Sequence, residues 1–223
     1  MQAIIHYSEI ALKGKNRPFF EKKLQKNIKR ALKGAYNKVI REHDRIIIDL
    51  KSGTDEKEVE NKLKKVFGIE WFAFVHTADK NMEAIRHNIS KYASISKGET
   101  AKIVAKRSDK KFHLNSMQIN RELGRFIEEK FGAKIKMERP QHRIYVGIGA
   151  KNAYVYFSRI RGPGGLPVGS SGKVLVLLSG GIDSAAAAYM TMKRGCVPHY
   201  LHFHAFRKGE EAMKGKMDAM LKT

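Results

Sequence analysis

The stretch from Val174 to Met190, VLVLLSGGIDSAAAAYM, places an unbroken aliphatic run directly before a turn rich in glycine and serine. An aliphatic run without polar alternation is typical of a strand covered on both faces in a parallel sheet. Gly180 and Gly181 then allow a sharp backbone turn, and the residues after them favour a helix. The stretch predicts half of a βαβ unit, in an α/β domain that starts at Lys173.

The turn itself has the composition of a phosphate-binding loop. Paired glycines let several backbone N–H groups point at one anion, and Ser179 and Ser184 add hydroxyl donors. A helix starting near Asp183 supplies unpaired N–H groups and the positive end of its dipole. The G-x-x-x-x-G-K-[ST] spacing is absent, so the sequence predicts a phosphate ligand without ordinary γ-phosphate transfer. The alternative is a generic glycine turn that opens a helix.

The rest of the chain divides into two segments before this unit. Residues 1–75 read as strand, helix, strand, strand, helix, strand, which predicts a ferredoxin-like domain. Residues 76–165 read as a compact α/β module that ends in a hairpin. RGPGGLPVGSSG, residues 161–172, is too rich in glycine and proline for a helix or strand interior and marks a boundary. Residues 166–223 then hold the linker and an incomplete nucleotide domain.

Composition limits the class of partner. Lys and Arg number 44 against 22 Asp and Glu, and the net charge of +22 favours a polyanion: nucleic acid first, an anionic membrane surface second. No run approaches the ~20 apolar residues of a membrane span, and no secretion signal is recognisable at the N-terminus. We therefore expect a cytoplasmic protein that does not cross a membrane. The single cysteine, Cys196, is interpreted as a small core residue.

A basic segment around the second helix of the middle module predicts an RNA contact. Cations and an aromatic ring are interleaved there, a mixture that suits a single-stranded end better than a duplex. A solvated basic loop is the alternative. The candidate RNA-binding residues are Lys106, Arg107, Lys110, Lys111, Phe112, His113, Gln118, Asn120, Arg121, Arg125 and Arg143. A second basic cluster along the first helix, residues 13–30, is explained equally well by solvation or by RNA contact.

Three stretches together resemble one enzyme family. SGGIDS after an aliphatic strand resembles the pyrophosphate-binding loop of the ATP pyrophosphatases. With EIALKGKNRPFFEKKLQKNIKRAL, RGPGGLPVGSSGKVLVLLSGGIDS and MKRG…LHFHAF, the resemblance is to the tRNA 4-thiouridine synthetases, or tRNA sulfurtransferases. The resemblance implies a ferredoxin-like domain, a THUMP RNA-binding domain and an ATP pyrophosphatase domain. It implies that ATP adenylates O4 of the uridine at tRNA position eight, after which a persulfide sulfur displaces AMP; some relatives also serve thiazole synthesis.

The resemblance assigns ligands within the last unit. ATP and Mg²⁺ are the implied cofactors and the tRNA 3′ acceptor end the implied RNA contact. Asp183 would be catalytic, holding Mg²⁺ or polarising the reacting groups. No resident metal site is assigned, since two histidines (His202, His204) without a nearby carboxylate are more often packing residues. The implied nucleotide-binding residues are Leu177, Leu178, Ser179, Gly180, Gly181, Asp183, Ser184, His202 and Phe203.

Two departures from the family pattern are visible. Ala185 replaces a proline that members often carry, and alanine continues a helix readily. The chain reaches only part of the nucleotide domain, so we expect a fragment or a protein that a second chain completes. The family's sulfur-handling cysteine would lie in the missing part, and Cys196 is not assigned that role. A persulfide donor such as a cysteine desulfurase is implied, and a homodimer is left open.

The rival function is a non-catalytic tRNA-binding protein with a vestigial nucleotide domain; base methylation is disfavoured because no G-x-G loop follows the linker.

Overall fold

The computed structural model describes residues 1–42 and 45–203, in which nine strands form one mixed sheet and two form another. The strands of the large sheet are β1 (Gln2–His6), β2 (Tyr36–Glu42), β3 (Arg45–Leu50), β4 (Trp71–Asp79), β5 (Thr100–Arg107), β6 (Lys134–Ile135), β7 (His142–Ile148), β8 (Asn152–Tyr156) and β9 (Ile160–Arg161). Their order is β2-β3-β1-β4-β8-β7-β5-β6, with β9 beside β4. The smaller sheet pairs β10 (Lys173–Leu177) with β11 (Val197–Leu201) in parallel.

The helices follow the predicted order, with one addition. They are a 3₁₀ segment (Glu9–Asn16), α1 (Arg17–Ala31), α2 (Glu56–Leu63), α3 (Met82–Tyr92), α4 (Ser116–Phe131) and α5 (Ile182–Lys193). The 3₁₀ segment was not predicted; it is broken at Gly14, whose φ of 50° falls in the left-handed region. The strand and helix order predicted for residues 1–75 is confirmed, as is the β7–β8 hairpin.

Capping explains where several helices begin. Asn115 accepts from the Gln118 amide, and the Gln118 side chain bonds back to the Asn115 amide, which completes a capping box for α4. For α2 the capping residue is Asp55. The Asp55 carboxylate accepts from the Lys57 amide, whereas the Thr54 hydroxyl donates to the Ala35 carbonyl.

The chain divides into two compact units. Unit 1 contains Met1–Ile5, Ala35–Thr54 and Phe72–Ile160; unit 2 contains His6–Gly34, Asp55–Trp71 and the residues from Arg161 onward. In unit 1, α3 and α4 pack on one face of β5, β7 and β8, and the core is aliphatic because alternate strand residues point to that face. Its fully buried members include Ile85, Ile89, Ile119, Leu123, Ile127 and Ile144.

Unit 2 joins α1, α2, the segment 161–172 and the βαβ element β10-α5-β11. The segment 161–172, predicted as a domain boundary, is held along its length by main-chain hydrogen bonds and is called the strap below. At one end the Gly68 amide donates to the Gly164 carbonyl at 2.8 Å, and the Gly164 amide donates to the Ile69 carbonyl at 2.8 Å. Further on, the Leu166 amide donates to the Lys193 carbonyl at 2.9 Å. The strap therefore fastens the end of α5 to the residues that follow α2.

Candidate functional site

The predicted phosphate loop lies between β10 and α5. The sequence predicted that this strand would be covered on both faces, but Leu175 and Leu177 are exposed and only Val176 is buried. The parallel register of β10 and β11 pairs Leu177 with Leu201, and α5 contacts both strands. This is the βαβ arrangement expected from the aliphatic run and its spacing to the next strand. The loop after β10 therefore opens at the carboxyl ends of two parallel strands, the edge at which open α/β sheets bind ligands.

Hydrogen bonds among its own glycines and serines hold the conformation of the loop. Gly180 has φ of 78°, a conformation that favours glycine, and Gly181 is extended and precedes the first residue of α5. The Ser184 hydroxyl donates to the Gly181 carbonyl at 2.9 Å and accepts from the Ser179 amide at 3.3 Å. The Gly181 amide reaches the Ser179 hydroxyl at 3.4 Å. Both serine hydroxyls thus face the turn, where they can also meet a ligand.

The first turn of α5 faces solvent. Gly181, at the capping position, has no side chain that could occupy the first-turn N–H groups. Ile182 and Asp183 are both exposed. An anion placed here would meet the N–H groups and the positive dipole end of a helix of 12 residues. The geometry suits a phosphate, and the exposed Asp183 carboxylate stands at its rim.

The residues implied for the base and ribose lie side by side. The Leu178 amide donates to the Leu201 carbonyl at 2.8 Å, and His202 Nδ1 lies 2.6 Å from the Leu178 carbonyl oxygen. Because a carbonyl oxygen only accepts, His202 Nδ1 carries the proton in this contact. Leu177 and Phe203 present exposed apolar surface next to them. The structure thus brings these four residues together at one end of β10 and β11; His204 lies outside the described residues.

An apolar cavity of about 580 Å³ lies beside this loop in unit 2. One stripe of α5, including Ile182, Ala186 and Tyr189, forms a wall, and the Phe67 ring meets the Tyr189 ring edge-on at 4.9 Å. This contact could not be predicted from the sequence, because Phe67 and Tyr189 are distant in the chain.

The candidate RNA residues in the loop after β5 divide into exposed and structural ones. Lys106, Lys110, Lys111 and His113 are exposed. Arg107 is half-buried, and its Nη1 donates to the Phe112 carbonyl at 2.9 Å and to the Leu114 carbonyl at 3.1 Å. Its guanidinium therefore shapes the loop.

One acidic residue also holds this loop. Lys80 Nζ lies 2.6 Å from Asp109 Oδ2, and the Lys111 amide donates to Asp109 Oδ1 at 2.8 Å. Lys80 and that amide lower the pKa of Asp109. The carboxylate fixes the backbone that carries Lys110 and Lys111.

Two of the predicted RNA-binding residues make contacts that stabilise the fold of unit 1. Phe112 is only 6 % exposed and belongs to the hydrophobic core of unit 1, so its ring is not available for base stacking. Asn120 is half-buried, and its Oδ1 accepts from the Ala105 amide at 2.8 Å. It ties α4 to β5. The other predicted positions, Gln118, Arg121, Arg125 and Arg143, are exposed.

The described residues also bear on metal binding and on membrane insertion. Among the residues that the structure describes, no group of three or more His, Cys, Asp or Glu side chains is arranged to hold a metal ion. The helices within residues 1–42 and 45–203 are too short or too polar to cross a bilayer. Cys196 is half-buried, and its thiol contacts the Ser171 carbonyl at 3.7 Å.

Fold and site together define a class: a multidomain α/β protein with a basic α/β module and a strand-turn-helix element suited to phosphate. Family comparisons make this specific. Residues 2–73 match the ferredoxin-like domain of ThiI, residues 79–158 match the THUMP domain, and residues 169–223 match the thiamine biosynthesis protein ThiI.

Individual relatives agree with the family models. A probable tRNA sulfurtransferase from Moorella thermoacetica is 41 % identical over 216 residues, which are 96 % of this chain and 55 % of the relative. The crystal structure of PH1313 from Pyrococcus horikoshii superposes with a TM-score of 0.85 at 27 % identity and covers 99 % of this chain and 73 % of that one. A 4-thiouridine synthetase solved with RNA and bound ATP has a TM-score of 0.77 at 30 % identity and covers 99 % of this chain and 57 % of that one.

The chain therefore belongs to the ThiI family, whose matching curated relatives are named probable tRNA sulfurtransferases. The predicted fold class, with a ferredoxin-like domain, a THUMP domain and the start of the ThiI domain, is confirmed. The chain spans about half the length of the curated relatives it matches.

Proposed function

We propose that this chain supplies the tRNA-binding and ATP-binding parts of a tRNA uridine 4-sulfurtransferase. ATP adenylates O4 of the uridine at tRNA position eight and releases pyrophosphate, and a persulfide sulfur then displaces AMP to give 4-thiouridine. The family membership and the likeness to a 4-thiouridine synthetase solved with RNA and ATP support this assignment. Because the chain spans half of its curated relatives, we assign turnover to a protein of the relatives' length.

The geometry of the loop after β10 carries the nucleotide part of the proposal. A positive-φ glycine, two hydroxyls facing one turn, and solvent-facing first-turn amides of α5 converge on a space that suits a phosphate. We assign the β- and γ-phosphates to Ser179, Gly180, Gly181 and Ser184. Hydrogen bonds from these groups stabilise the charge that develops on pyrophosphate as it leaves.

Asp183 is the only carboxylate that we assign to the reaction. Mg²⁺ in nucleotide sites is held by one or two carboxylates together with phosphate oxygens and waters, and one exposed carboxylate beside the phosphate position fits that donor set. Bound there, Mg²⁺ would neutralise phosphate charge. The base and ribose we assign to Leu177, Leu178, His202 and Phe203, where exposed apolar side chains adjoin main-chain groups of two strands.

The tRNA part rests on unit 1. Its exposed cations would follow the phosphates of the 3′ acceptor end, while the loop in unit 2 holds ATP, so that tRNA shape selects the uridine. The set comprises Lys106, Lys110, Lys111, Arg121, Arg125 and Arg143. A persulfide donor such as a cysteine desulfurase supplies the sulfur, and we assign Cys196 no part in its transfer.

The test measures pyrophosphate release from ATP on addition of tRNA, using a protein of the relatives' length that carries this sequence. Wild-type protein will release pyrophosphate only with both ATP and tRNA present. Asp183→Ala will reduce that release by about 100-fold or more, the order expected when a group that stabilises transition-state charge is removed, and will leave the Kd for tRNA within about threefold.

Asp79→Ala, which removes an exposed carboxylate at the end of β4, is the matched control and should behave as wild type. Wild-type protein that binds tRNA without releasing pyrophosphate would favour the non-catalytic alternative. A collapse of tRNA affinity in Asp183→Ala would contradict the division of labour between the two parts.

A further inference from the structure

The sheet of unit 1 has a second face, opposite its aliphatic core. Parallel strands β5 and β7 pair Lys102 with Arg143 and Val104 with Tyr145, so these four side chains project to one side. Ile103 and Ile144, the alternate residues, belong to the core beneath α3 and α4. The second face therefore carries cations and an aromatic ring where the first carries aliphatic groups.

An aromatic stack with an arginine on it lies at the middle of this face. Tyr145 on β7 and Tyr156 on β8 are register partners, and their rings stack at 5.0 Å with planes 8° apart. The Arg159 guanidinium lies 4.1 Å from the centre of the Tyr145 ring, and its Nη2 donates to the Tyr156 hydroxyl at 3.3 Å. Tyr156 is buried, Tyr145 is half-buried and Arg159 is exposed. The tyrosines thus hold a flat cation at the surface.

The charges around the stack are mostly positive. Arg143, two residues from Tyr145, is exposed, and Lys102 beside it is half-buried with its Nζ 2.9 Å from the Met137 carbonyl. Lys106, exposed and two residues beyond Val104, leads from this face to the basic loop. The carboxylate of Glu99, just before β5, makes a hydrogen bond with His142 Nε2 at 2.8 Å. An anionic ligand on the stack would meet cations on two sides.

The chemistry of the stack distinguishes a nucleotide from other anions. An arginine guanidinium is planar and cationic, so it stacks on bases and attracts phosphates, and Arg159 lies over the Tyr145 ring at the surface. Sheet faces with exposed rings and flanking cations bind unpaired bases, because every base has a face that stacks. A duplex keeps its bases stacked internally and offers this surface only phosphates.

We propose that Arg159, supported by Tyr145 and Tyr156 and flanked by Arg143, forms a stacking site for an unpaired nucleotide of RNA. The site adjoins the basic loop through Lys106, so a single strand can follow both surfaces. The inference rests on the proposed RNA binding and adds three residues, Tyr145, Tyr156 and Arg159, that the sequence did not single out.

The experiment compares single-stranded and duplex RNA on this chain. The probes are an eight-nucleotide single strand with 2-aminopurine at one position and a blunt duplex of the same sequence; Kd is read by anisotropy over a salt series and base stacking by 2-aminopurine fluorescence. Arg159→Ala should weaken single-strand binding about tenfold and restore 2-aminopurine fluorescence, while changing duplex affinity less than about twofold. Arg159→Lys keeps the charge without the plane and should recover less than half of the loss in log Kd.

Lys130→Ala, an exposed cation on α4 across the core from this face, is the control for charge alone. Circular dichroism checks that each variant is folded, and Arg143→Ala should lower the salt slope on single strands by about 0.7. Equal losses on single strand and duplex, or full recovery by Arg159→Lys, would overturn the stacking site. Losses in Lys110→Ala and Lys111→Ala without any in Arg159→Ala would overturn it and leave RNA binding intact. Wild-type protein with a flat salt response would remove the proposed RNA function as well.

Discussion

Unit 2 contains a polar triad at the start of α1, in which Tyr7 and Glu21 are buried and Arg17 is half-buried. The Tyr7 hydroxyl donates to the Glu21 carboxylate, and the Arg17 guanidinium contacts Glu21 at 2.7 Å and the Tyr7 hydroxyl at 3.0 Å. Burial, followed by the bond to Glu21, raises the pKa of Tyr7 to about 12. In unit 1, burial and the nearby Glu42 carboxylate raise the pKa of Tyr154 to about 12. Both phenols are stabilised in their neutral form by folding.

These shifts predict a loss of stability in alkali. Below pH 10 each phenol is neutral in both the folded and the unfolded protein. Between pH 10 and 12 the unfolded chain ionises first, so the free energy of unfolding falls across that window. Tyr7→Phe should flatten the fall, and Tyr92→Phe, at an exposed tyrosine, should not. Urea unfolding at intervals of pH measures this; complete native tyrosinate absorbance by pH 10.5 would contradict it.

For single residues, the sequence predicted which charged side chains are exposed better than it predicted which aromatic rings are buried or stacked. The cations at Lys110, Lys111 and Arg121 are exposed as a basic nucleic-acid surface requires. Phe112 was expected to offer its ring for base stacking, but the ring is buried in one hydrophobic cluster with Ile119 and Leu123 of α4. This long-range packing cannot be predicted from the residues next to Phe112 in the sequence. The aromatic platform on the sheet needed the pairing of β7 with β8 to become visible.

Among the elements, the strap makes contacts that the sequence did not predict. Its glycines and prolines predicted a boundary, yet the Gly195 carbonyl accepts from three strap amides, at residues 169, 170 and 171, at 2.8 to 3.0 Å. Close packing explains the glycines. A Cβ on Gly165 would strike the Lys193 carbonyl oxygen, and one on Gly68 would lie 3.1 Å from the Pro167 ring. The sequence shows where the glycines are, but only the tertiary contacts show that a larger side chain at these positions would clash with a neighbouring atom.

Matched glycine substitutions test the strap. Gly165 and Gly172 have similar positive φ, 75° and 81°, but only Gly165 faces a backbone atom. Alanine at either site therefore costs about 1–2 kcal/mol of backbone strain, and Gly165→Ala should cost roughly 1–3 kcal/mol more through the clash. The single tryptophan, Trp71, lies in unit 2 and stacks on His6 at 4.1 Å, so its fluorescence in urea reports on that unit. Equal losses of unfolding free energy in the two variants would contradict this, because they would show that the strap moves to accept the Gly165→Ala side chain at no energetic cost.

Composition and sequence motifs predicted the class of protein, whereas long-range packing determines which elements belong to each of the two units. The net charge of +22 predicted a polyanionic partner, and a short motif after an aliphatic strand predicted a phosphate site. The sheet runs from the ferredoxin-like strands into the THUMP strands through the β4–β8 pair. The strap and the helices α1 and α2 group with the nucleotide element. That grouping depends on long-range contacts that neither periodicity nor composition encodes.

We propose that main-chain amides at the turn after β10 bind the triphosphate of ATP. Crystal structures of a protein of the relatives' length, grown with Mg²⁺ and a non-hydrolysable ATP analogue, measure this directly. We expect phosphate oxygens about 2.7–3.2 Å from main-chain nitrogens within residues 179–184, with the base against Leu178 and Phe203. Phosphates bound elsewhere, or amides of Gly180 and Gly181 turned away from them, would contradict it.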